Sequence, residues 1–254
     1  MRNIVRQFRV RRTLVRGAVA LTVGIPAIVA AQNPMSLGPA TREGEPRLQG
    51  GASLSIAQPT GEFGQYVQNG VGVNVHGLAR LGGSGFFALR VDGDFLQYGS
   101  ETKRVALSPT IGGRIRVDLN TTNNIAALGV GPQLMVPRGP LRPYINGSIG
   151  VAYFGTESSV QGSRDTQEPF ARTTNYDDWT LSYGGGSGVL VPLAHGKRTL
   201  VFLDLGARFH NNGRVRYLRE GGITDLPNGD IALSVIESNA NLWTYHIGVS
   251  IGGR

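Results

Sequence analysis

Long runs of alternating apolar and polar residues dominate this sequence and limit what it can fold into. The last run, residues 241–253, places small or polar residues between Trp243, Tyr245, Ile247, Val249 and Ile251. A period of two predicts a β-strand with one apolar face and one polar face. The run is longer than the ~5–6 residues of a common soluble strand. The sequence therefore predicts strands that are long enough to cross a membrane.

Seven similar runs come earlier in the chain. They predict strands over about residues 48–57, 71–81, 86–98, 124–136, 142–154, 179–193 and 199–210. The connections alternate between long (58–70, 99–123, 155–178, 211–240) and short (82–85, 137–141, 194–198). An even strand number with long loops at one end is typical of outer-membrane barrels. We therefore predict an all-β fold, an eight-stranded antiparallel up-and-down transmembrane β-barrel with long extracellular loops.

One further segment leaves the strand count open. Residues 111–119 also alternate, with Arg114, Arg116 and Asp118 in one row. A complete additional strand would make the number odd, whereas bacterial single-chain barrels have an even number. We interpret residues 103–119 as a loop with a short hairpin extension, and a membrane strand remains the alternative.

A soluble β-sandwich or a periplasmic lipocalin-like barrel would show the same period, with the apolar row inside. Three features favour a membrane barrel instead. The strands are long, the opposing rows are rich in Gly, Ser and Ala, and aromatic residues cluster near strand ends (Trp179, Tyr183, Trp243, Tyr245).

The N-terminal segment has the pattern of a secretory signal peptide. Residues 1–31 combine an Arg-rich start with an apolar stretch from Gly17 to Ala31. That stretch is shorter than the ~20 residues of a spanning helix, so a membrane anchor is the less favoured alternative. We predict a signal peptide over residues 1–31, a flexible Pro- and Gly-rich segment over 32–47 and the barrel domain over 48–254.

The net charge of +8 does not indicate a nucleic-acid partner. Six of the 25 basic residues lie in residues 1–31, which contain no acidic residue, and the remaining 19 nearly balance 17 acidic residues. The chain contains no cysteine, so it cannot rely on disulfides and the redox compartment is not readable from cysteine.

Three segments resemble small OmpA-, OmpX- and OmpW-like outer-membrane barrel domains. His246–Gly253 is similar to the C-terminal assembly signal of such barrels, although Gly253 departs from its last apolar position and no terminal Phe is present. Arg142–Phe154 and Pro59–Gly64 carry the rest of the resemblance. The resemblance covers the chain from Leu48 onward. It implies a location in the outer membrane of a Gram-negative cell envelope, contact with outer-membrane lipid and lipopolysaccharide, and recognition by the barrel assembly machinery.

The polar rows predict a network inside the barrel, because buried charges require partners. The network residues are Asn74, His76, Arg80, Arg90, Asp92, Asp94, Asp204, Arg208 and His246, with Asn146 beside them. A turn centred on residue 83 would place His76 opposite Arg90 and Asn74 opposite Asp92. We interpret the network as structural, and a proton- or ion-conducting path is the alternative.

The inward rows of the middle strands are small. Gly129, Gly131, Gly150, Gly184, Gly186 and Gly188 belong to them. These glycines could receive bulky neighbours such as Tyr144 and Phe202. They could also leave a narrow cavity for a small apolar ligand, as the resemblance to OmpW-like barrels implies.

We therefore expect an integral outer-membrane protein with a structural or surface-interaction role and no catalysis. A narrow channel for small apolar molecules is the alternative, and a surface lipid-modifying enzyme is a third. His246 and Ser250 lie roughly 13 Å apart along one strand, so we expect no compact Ser-His-acid cluster. We predict no cofactor and no metal, since a turn explains Asp225, Asn228 and Asp230 as well as calcium does. Basic loop residues could contact lipopolysaccharide phosphates, with solvated charge as the alternative (Arg104, Arg114, Arg116, Arg214, Arg216, Arg219).

Overall fold

The structure is a computed structural model that describes residues 36–37, 47–82, 84–108, 112–162, 169–196 and 199–253. The predicted signal peptide and most of the predicted flexible segment lie outside these residues. Within them, no helix is long and apolar enough to cross a membrane.

The described residues form thirteen strands and one short 3₁₀ helix. The eight long strands are β2 (Leu48–Pro59), β3 (Gly70–Leu81), β4 (Phe87–Ser108), β5 (Gly112–Met135), β6 (Arg142–Gly162), β7 (Ala171–His195), β8 (Thr199–Asn212) and β13 (Leu242–Gly253). The short elements are β1 (Ser36–Leu37), helix η1 (Phe63–Gln65), β9 (Arg214–Tyr217), β10 (Ile223–Asp225), β11 (Ile231–Leu233) and β12 (Ile236–Asn239).

The eight long strands close into an antiparallel barrel. Each pairs with its neighbour in sequence, from β2 to β8 and then β13. The last strand β13 also pairs with β2 along its whole length, from Leu242 with Pro59 to Gly253 with Leu48. β1 adds a two-residue pairing with the end of β7. The predicted eight-stranded up-and-down barrel is confirmed.

The barrel is apolar outside and polar inside. Large apolar side chains point outward from every long strand, and Leu54 and Leu128 are 68% and 60% exposed. The alternate residues point inward and include buried charges such as Asp92 and Asp204. A soluble sandwich or lipocalin-like barrel has the opposite arrangement, so that alternative is wrong. Lipid is the solvent for such a surface, and the protein is a membrane-spanning β-barrel. Following the predicted orientation, we call the end with the long connections extracellular and the end with the short turns periplasmic.

Four strands continue beyond the apolar belt on the side of the long connections. Residues 99–108 of β4, 112–123 of β5, 156–162 of β6 and 171–177 of β7 pair in order. We call these residues the projecting sheet. Residues 103–119 are thus no additional barrel strand, as we expected. The described residues of this range are also no separate hairpin in a loop, because β4 and β5 run into them with register shifts between Gln97 and Gly99 and between Ala106 and Ser108.

The predicted register between β3 and β4 is wrong by two residues. His76 pairs with Asp92 and Asn74 pairs with Asp94, whereas Arg90 pairs with Leu78. The turn between these strands is longer than we expected, since β4 begins at Phe87. Its centre lies at residue 84 instead of 83, which moves every pair along the hairpin.

Candidate functional site

A layer of buried charges crosses the middle of the lumen. Asp92 accepts a hydrogen bond from Arg90 Nε at 2.7 Å and lies 2.9 Å from Arg208 Nη2. Arg90 also donates to Gln133 at 3.0 Å. Asp92 is 1% exposed and its two arginine partners are 3% and 5% exposed. Each charge therefore has a partner of opposite sign where no bulk water reaches it.

Asp204 organises a second group beside the first. It accepts a hydrogen bond from the Tyr144 hydroxyl at 2.8 Å. Nε2 of His246 lies 3.6 Å from one of its oxygens, and Nε2 of His76 lies 3.8 Å from the other. The Tyr144 hydroxyl also contacts His246 Nε2 at 3.1 Å. Three strands besides β8 thus converge on one carboxylate.

The structure places all nine predicted network residues inside the barrel but joins only six of them in these two groups. Asn74 donates to Asp94 at 2.8 Å in a separate pair. Arg80 lies near the periplasmic end and donates to Gln49 at 3.4 Å. Asn146 accepts from Arg208 at 3.3 Å.

Sequence reasoning left several partners out of the network. Gln133, Tyr144 and Ser250 belong to it, and His210 contacts Thr244 at 3.1 Å near its extracellular side. Each of these residues occupies a position of its strand that faces the lumen. The alternation of the strand was the sequence signal that could have identified it.

The inward glycines make room for these side chains. A Cβ on Gly206 would lie 2.7 Å from the His246 ring, and one on Gly51 would lie 2.5 Å from the His76 ring. At Gly188 the Cβ would overlap the Tyr144 hydroxyl. A cavity of about 10 Å³ beside Gly129, Gly150 and Arg208 has the size of about one water molecule. Of the predicted glycine rows, Gly188 thus receives a bulky ring, whereas a Cβ on Gly131, Gly150 or Gly184 would meet a backbone carbonyl oxygen of the neighbouring strand. The space beside Gly129 and Gly150 is too small for an apolar ligand.

The first extracellular connection closes the barrel mouth with a set of rings, which we call the aromatic cap. Phe63 of η1 is 0% exposed. Its ring lies 5.7 Å from Tyr98, 6.1 Å from Phe154 and 5.0 Å from Tyr217 in edge-to-face geometry. Tyr217, in the extracellular β9, shares a 2.9 Å hydrogen bond with Ser238, and burial raises the pKa of its hydroxyl.

An apolar cluster occupies the periplasmic end. Its residues are Leu78, Ala88, Met135, Tyr144, Leu190, Leu200 and Phe202. The Arg142 guanidinium lies 4.9 Å above the Phe202 ring. Described side chains therefore fill the lumen at three levels: the aromatic cap, the charged layer and this cluster.

The structure brings together a Ser-His-acid set that we did not expect. His76 lies 3.3 Å from the Ser250 hydroxyl and 3.8 Å from Asp204, and the three residues come from different strands. Both contacts involve the same atom, His76 Nε2. A catalytic triad needs one ring nitrogen for the serine and the other for the acid. Ser250 is also 0% exposed, so this set has neither the geometry nor the access for surface hydrolysis.

The candidate calcium residues form a turn. Asn228 donates to Asp230 at 2.8 Å and accepts from its backbone at 3.1 Å, and Gly229 has φ 84°. The described part of the chain contains no group of three or more acidic, His or Cys residues that could hold a metal.

No protein-family model matches the chain, and no curated protein matches it. Solved structures do. Neisserial surface protein A matches at 13% identity and TM-score 0.49, over 84% of this chain and 100% of that one. OprG from Pseudomonas aeruginosa matches at 12% identity and TM-score 0.41, over 83% of this chain and 99% of that one. Ail of Yersinia pestis matches at 13% identity and TM-score 0.35, over 83% of this chain and 99% of that one.

Proposed function

We propose that this outer-membrane barrel is a surface-recognition protein that conducts nothing and binds an extended polypeptide along its projecting sheet. The observation that carries the proposal is a filled lumen below a sheet with unpaired edges. In the described residues, β4 pairs beyond Gly99 only with β5, and β7 pairs before Asp178 only with β6. Unpaired backbone groups at a sheet edge are the site at which an added strand binds.

The two edges differ in how well they would accept a strand. The β4 edge carries Glu101, Lys103 and Arg104, and charged residues protect an edge against pairing. The β7 edge contains Thr173, Thr174 and Asn175. Threonine favours extended backbone, and no charged residue lies between Arg172 and Asp177. The β7 edge is therefore the better acceptor.

The charge of the extracellular connections disfavours a strongly charged partner. The four connections carry nine basic and twelve acidic residues in mixed order. Neither a polyanion nor a polycation would be attracted over the whole surface. Main-chain pairing with a polypeptide needs no such field.

Shortening one hairpin tests the proposal. A variant that joins Gly155 to Asp177, which pair across β6 and β7, through a two-residue turn loses the β7 edge, including Thr173, Thr174 and Asn175. The matched control removes the β10–β11 hairpin, residues 223–233, which is paired apart from the projecting sheet. A displayed random-peptide library is selected against the protein in nanodiscs. We expect the selected peptides to bind the wild type and the control but not the shortened variant. Equal binding to both variants would contradict the proposal.

We also propose that lipopolysaccharide surrounds the outer rim. Two aromatic pairs, Tyr153 with Trp179 and Phe209 with Trp243, lie at that rim with ring centroids 4.8 Å and 5.2 Å apart. Aromatic rings favour the interface between acyl chains and headgroups. Arg216 in the adjacent β9 is available to phosphates only in part, because it also contacts Asp178 at 3.9 Å.

The barrel assembly machinery would recognise β13 through His246–Gly253, the segment that resembles an assembly signal.

No observation favours the two alternative functions over surface recognition. A conduit for apolar molecules would need space that the glycine rows do not leave. A lipid-modifying enzyme would need a reactive group at the rim, whereas the Ser-His-acid set lies inside the barrel.

A further inference from the structure

A groove of about 520 Å³ lies on the outward face of the barrel near its periplasmic end. We call it the seam groove, because it follows the junction at which β13 closes onto β2. Its floor consists of Gly50, Gly77 and Ala79, and its walls consist of Leu48, Leu89 and Ile251. Gly50 pairs with Gly77 across β2 and β3, so two adjacent strands both lack a side chain at this point of the floor.

The glycines of the floor differ from those of the lumen. A Cβ on Gly77 would meet no heavy atom within 4 Å, and one on Gly50 would meet only a backbone oxygen at 3.7 Å. Lumen glycines such as Gly206 are required by the side chains packed on them, but nothing in the fold requires glycine at Gly77. The missing side chains leave a depression on the lipid-facing surface.

The position of the groove indicates what occupies it. The walls are apolar and belong to the lipid-facing belt, since Leu48 is 66% exposed and Leu89 is 45% exposed. Acyl chains are the solvent at this depth. Neighbouring strands are about 4.8 Å apart, so the floor is only two strands wide. A floor of this width fits one extended acyl chain better than it fits the surface of another protein.

A cation lies at the periplasmic rim of the groove. Arg47 immediately precedes Leu48 and is exposed, and its carbonyl accepts a 2.9 Å hydrogen bond from the Arg80 backbone. Among the described residues, no acidic side chain forms an ion pair with Arg47. Arginine side chains at the end of a membrane segment extend to the headgroups, and guanidinium groups bind phosphate with paired hydrogen bonds.

We propose that the seam groove holds one acyl chain of a phospholipid from the periplasmic leaflet, with the phosphate of that lipid on Arg47. This inference does not depend on the partner of the projecting sheet. The groove supplies van der Waals contact along the chain, and the arginine distinguishes the site from the rest of the belt, where apolar contact alone favours no particular lipid.

Native mass spectrometry of the protein released from phosphatidylglycerol nanodiscs tests the proposal. We expect the wild type to retain one phospholipid. Gly77→Phe fills the floor and should lose it, whereas Gly147→Phe should keep it. Gly147 is the matched control, because it also faces lipid and a Cβ there would meet only the Gly184 oxygen at 3.8 Å. If Gly77→Phe does not show the heat-dependent gel shift of a folded barrel, Gly77→Leu replaces it in the same measurement.

Charge reversal tests the headgroup contact. Arg47→Glu should lower the lipid-bound fraction about threefold, the effect of one exposed ion pair, and Arg138→Glu in another periplasmic turn should leave it unchanged. Equal lipid retention by both phenylalanine variants would overturn the proposal. So would a dimer of the wild type that Gly77→Phe dissociates, since a second copy would then occupy the groove.

Discussion

Asp92 on β4 and Arg208 on β8 form an ion pair of 2.9 Å although their strands lie on opposite sides of the barrel. Four steps separate β4 from β8 in either direction around the closed sheet. A single buried contact therefore ties the two walls together across the lumen. Arg90 completes the bridge from the same strand as Asp92, at 2.7 Å.

Neutralising the centre of this bridge should destabilise the barrel. Asp92→Asn leaves Arg90 and Arg208 buried without a charged partner, which typically costs about 3–5 kcal/mol. Urea unfolding in phospholipid vesicles measures the free energy of unfolding. Asp94→Asn is the control, because Asp94 is less buried and accepts only the Asn74 amide at 2.8 Å. Similar losses in both variants would show that the bridge has no special role.

Removing the central ring should loosen the aromatic cap and leave the barrel intact. Phe63→Ala creates a cavity among three rings, and such truncations typically cost about 3 kcal/mol or more. Hydrogen exchange at Tyr66 and Val67, whose amides donate to the Phe63 carbonyl at 3.1 Å and 3.0 Å, should accelerate by about 100-fold. Tyr66→Ala removes an exposed ring and should change little. Unchanged exchange in Phe63→Ala would contradict the assignment of Phe63 as the anchor.

Gly188 faces the lumen and should not tolerate even a methyl group. In Gly188→Ala the new Cβ overlaps the Tyr144 hydroxyl, which must then move away from Asp204. Overpacking of this kind costs about 1–3 kcal/mol. Gly147→Ala, on the lipid side, should be neutral. The comparison uses the unfolding free energies of the two variants, and equal values would mean that the lumen is less tightly filled than the structure shows.

Alkaline pH should open the cap at Tyr217. Burial raises the pKa of this hydroxyl above its ordinary value of about 10, so folding favours the protonated form. The stability it contributes is complete below pH of about 10 and is lost as the pH rises toward the folded-state pKa. Protease cleavage in the connection that contains Phe63 should therefore increase above that pH. Tyr217→Phe has no proton to lose and should shift the increase to higher pH, and an identical profile would exclude this role.

The fold could be predicted from the sequence because a membrane barrel shows its pattern in every strand. The period of two identifies both faces, so residues such as Asp204 and His246 could be assigned to the lumen before their partners were known. Pairing across the lumen could not be predicted. Such pairing depends on the stagger between strands. Because the turn after Leu81 has five residues, His76 pairs with Asp92 and not with the predicted Arg90.

The extracellular side was harder to predict. Phe63 lies in a Gly-rich connection where nothing in the local pattern distinguishes an anchor from an exposed ring. Its burial depends on Tyr98, Phe154 and Tyr217, which are distant in the sequence. The length of β4 was underestimated for a related reason. Its polar extension, Gly99–Ser108, is held by pairing with β5, which a hydrophobic pattern does not reveal.

Ion conductance in planar phospholipid bilayers tests most directly whether the filled lumen excludes a channel function. The protein is first shown to be folded and inserted by its heat-dependent gel shift and by protease protection. With the aromatic cap, the charged layer and the periplasmic cluster all in place, we expect no conductance steps above the bilayer background. Stable, repeated steps from the folded wild type would contradict this account and would show that the lumen opens.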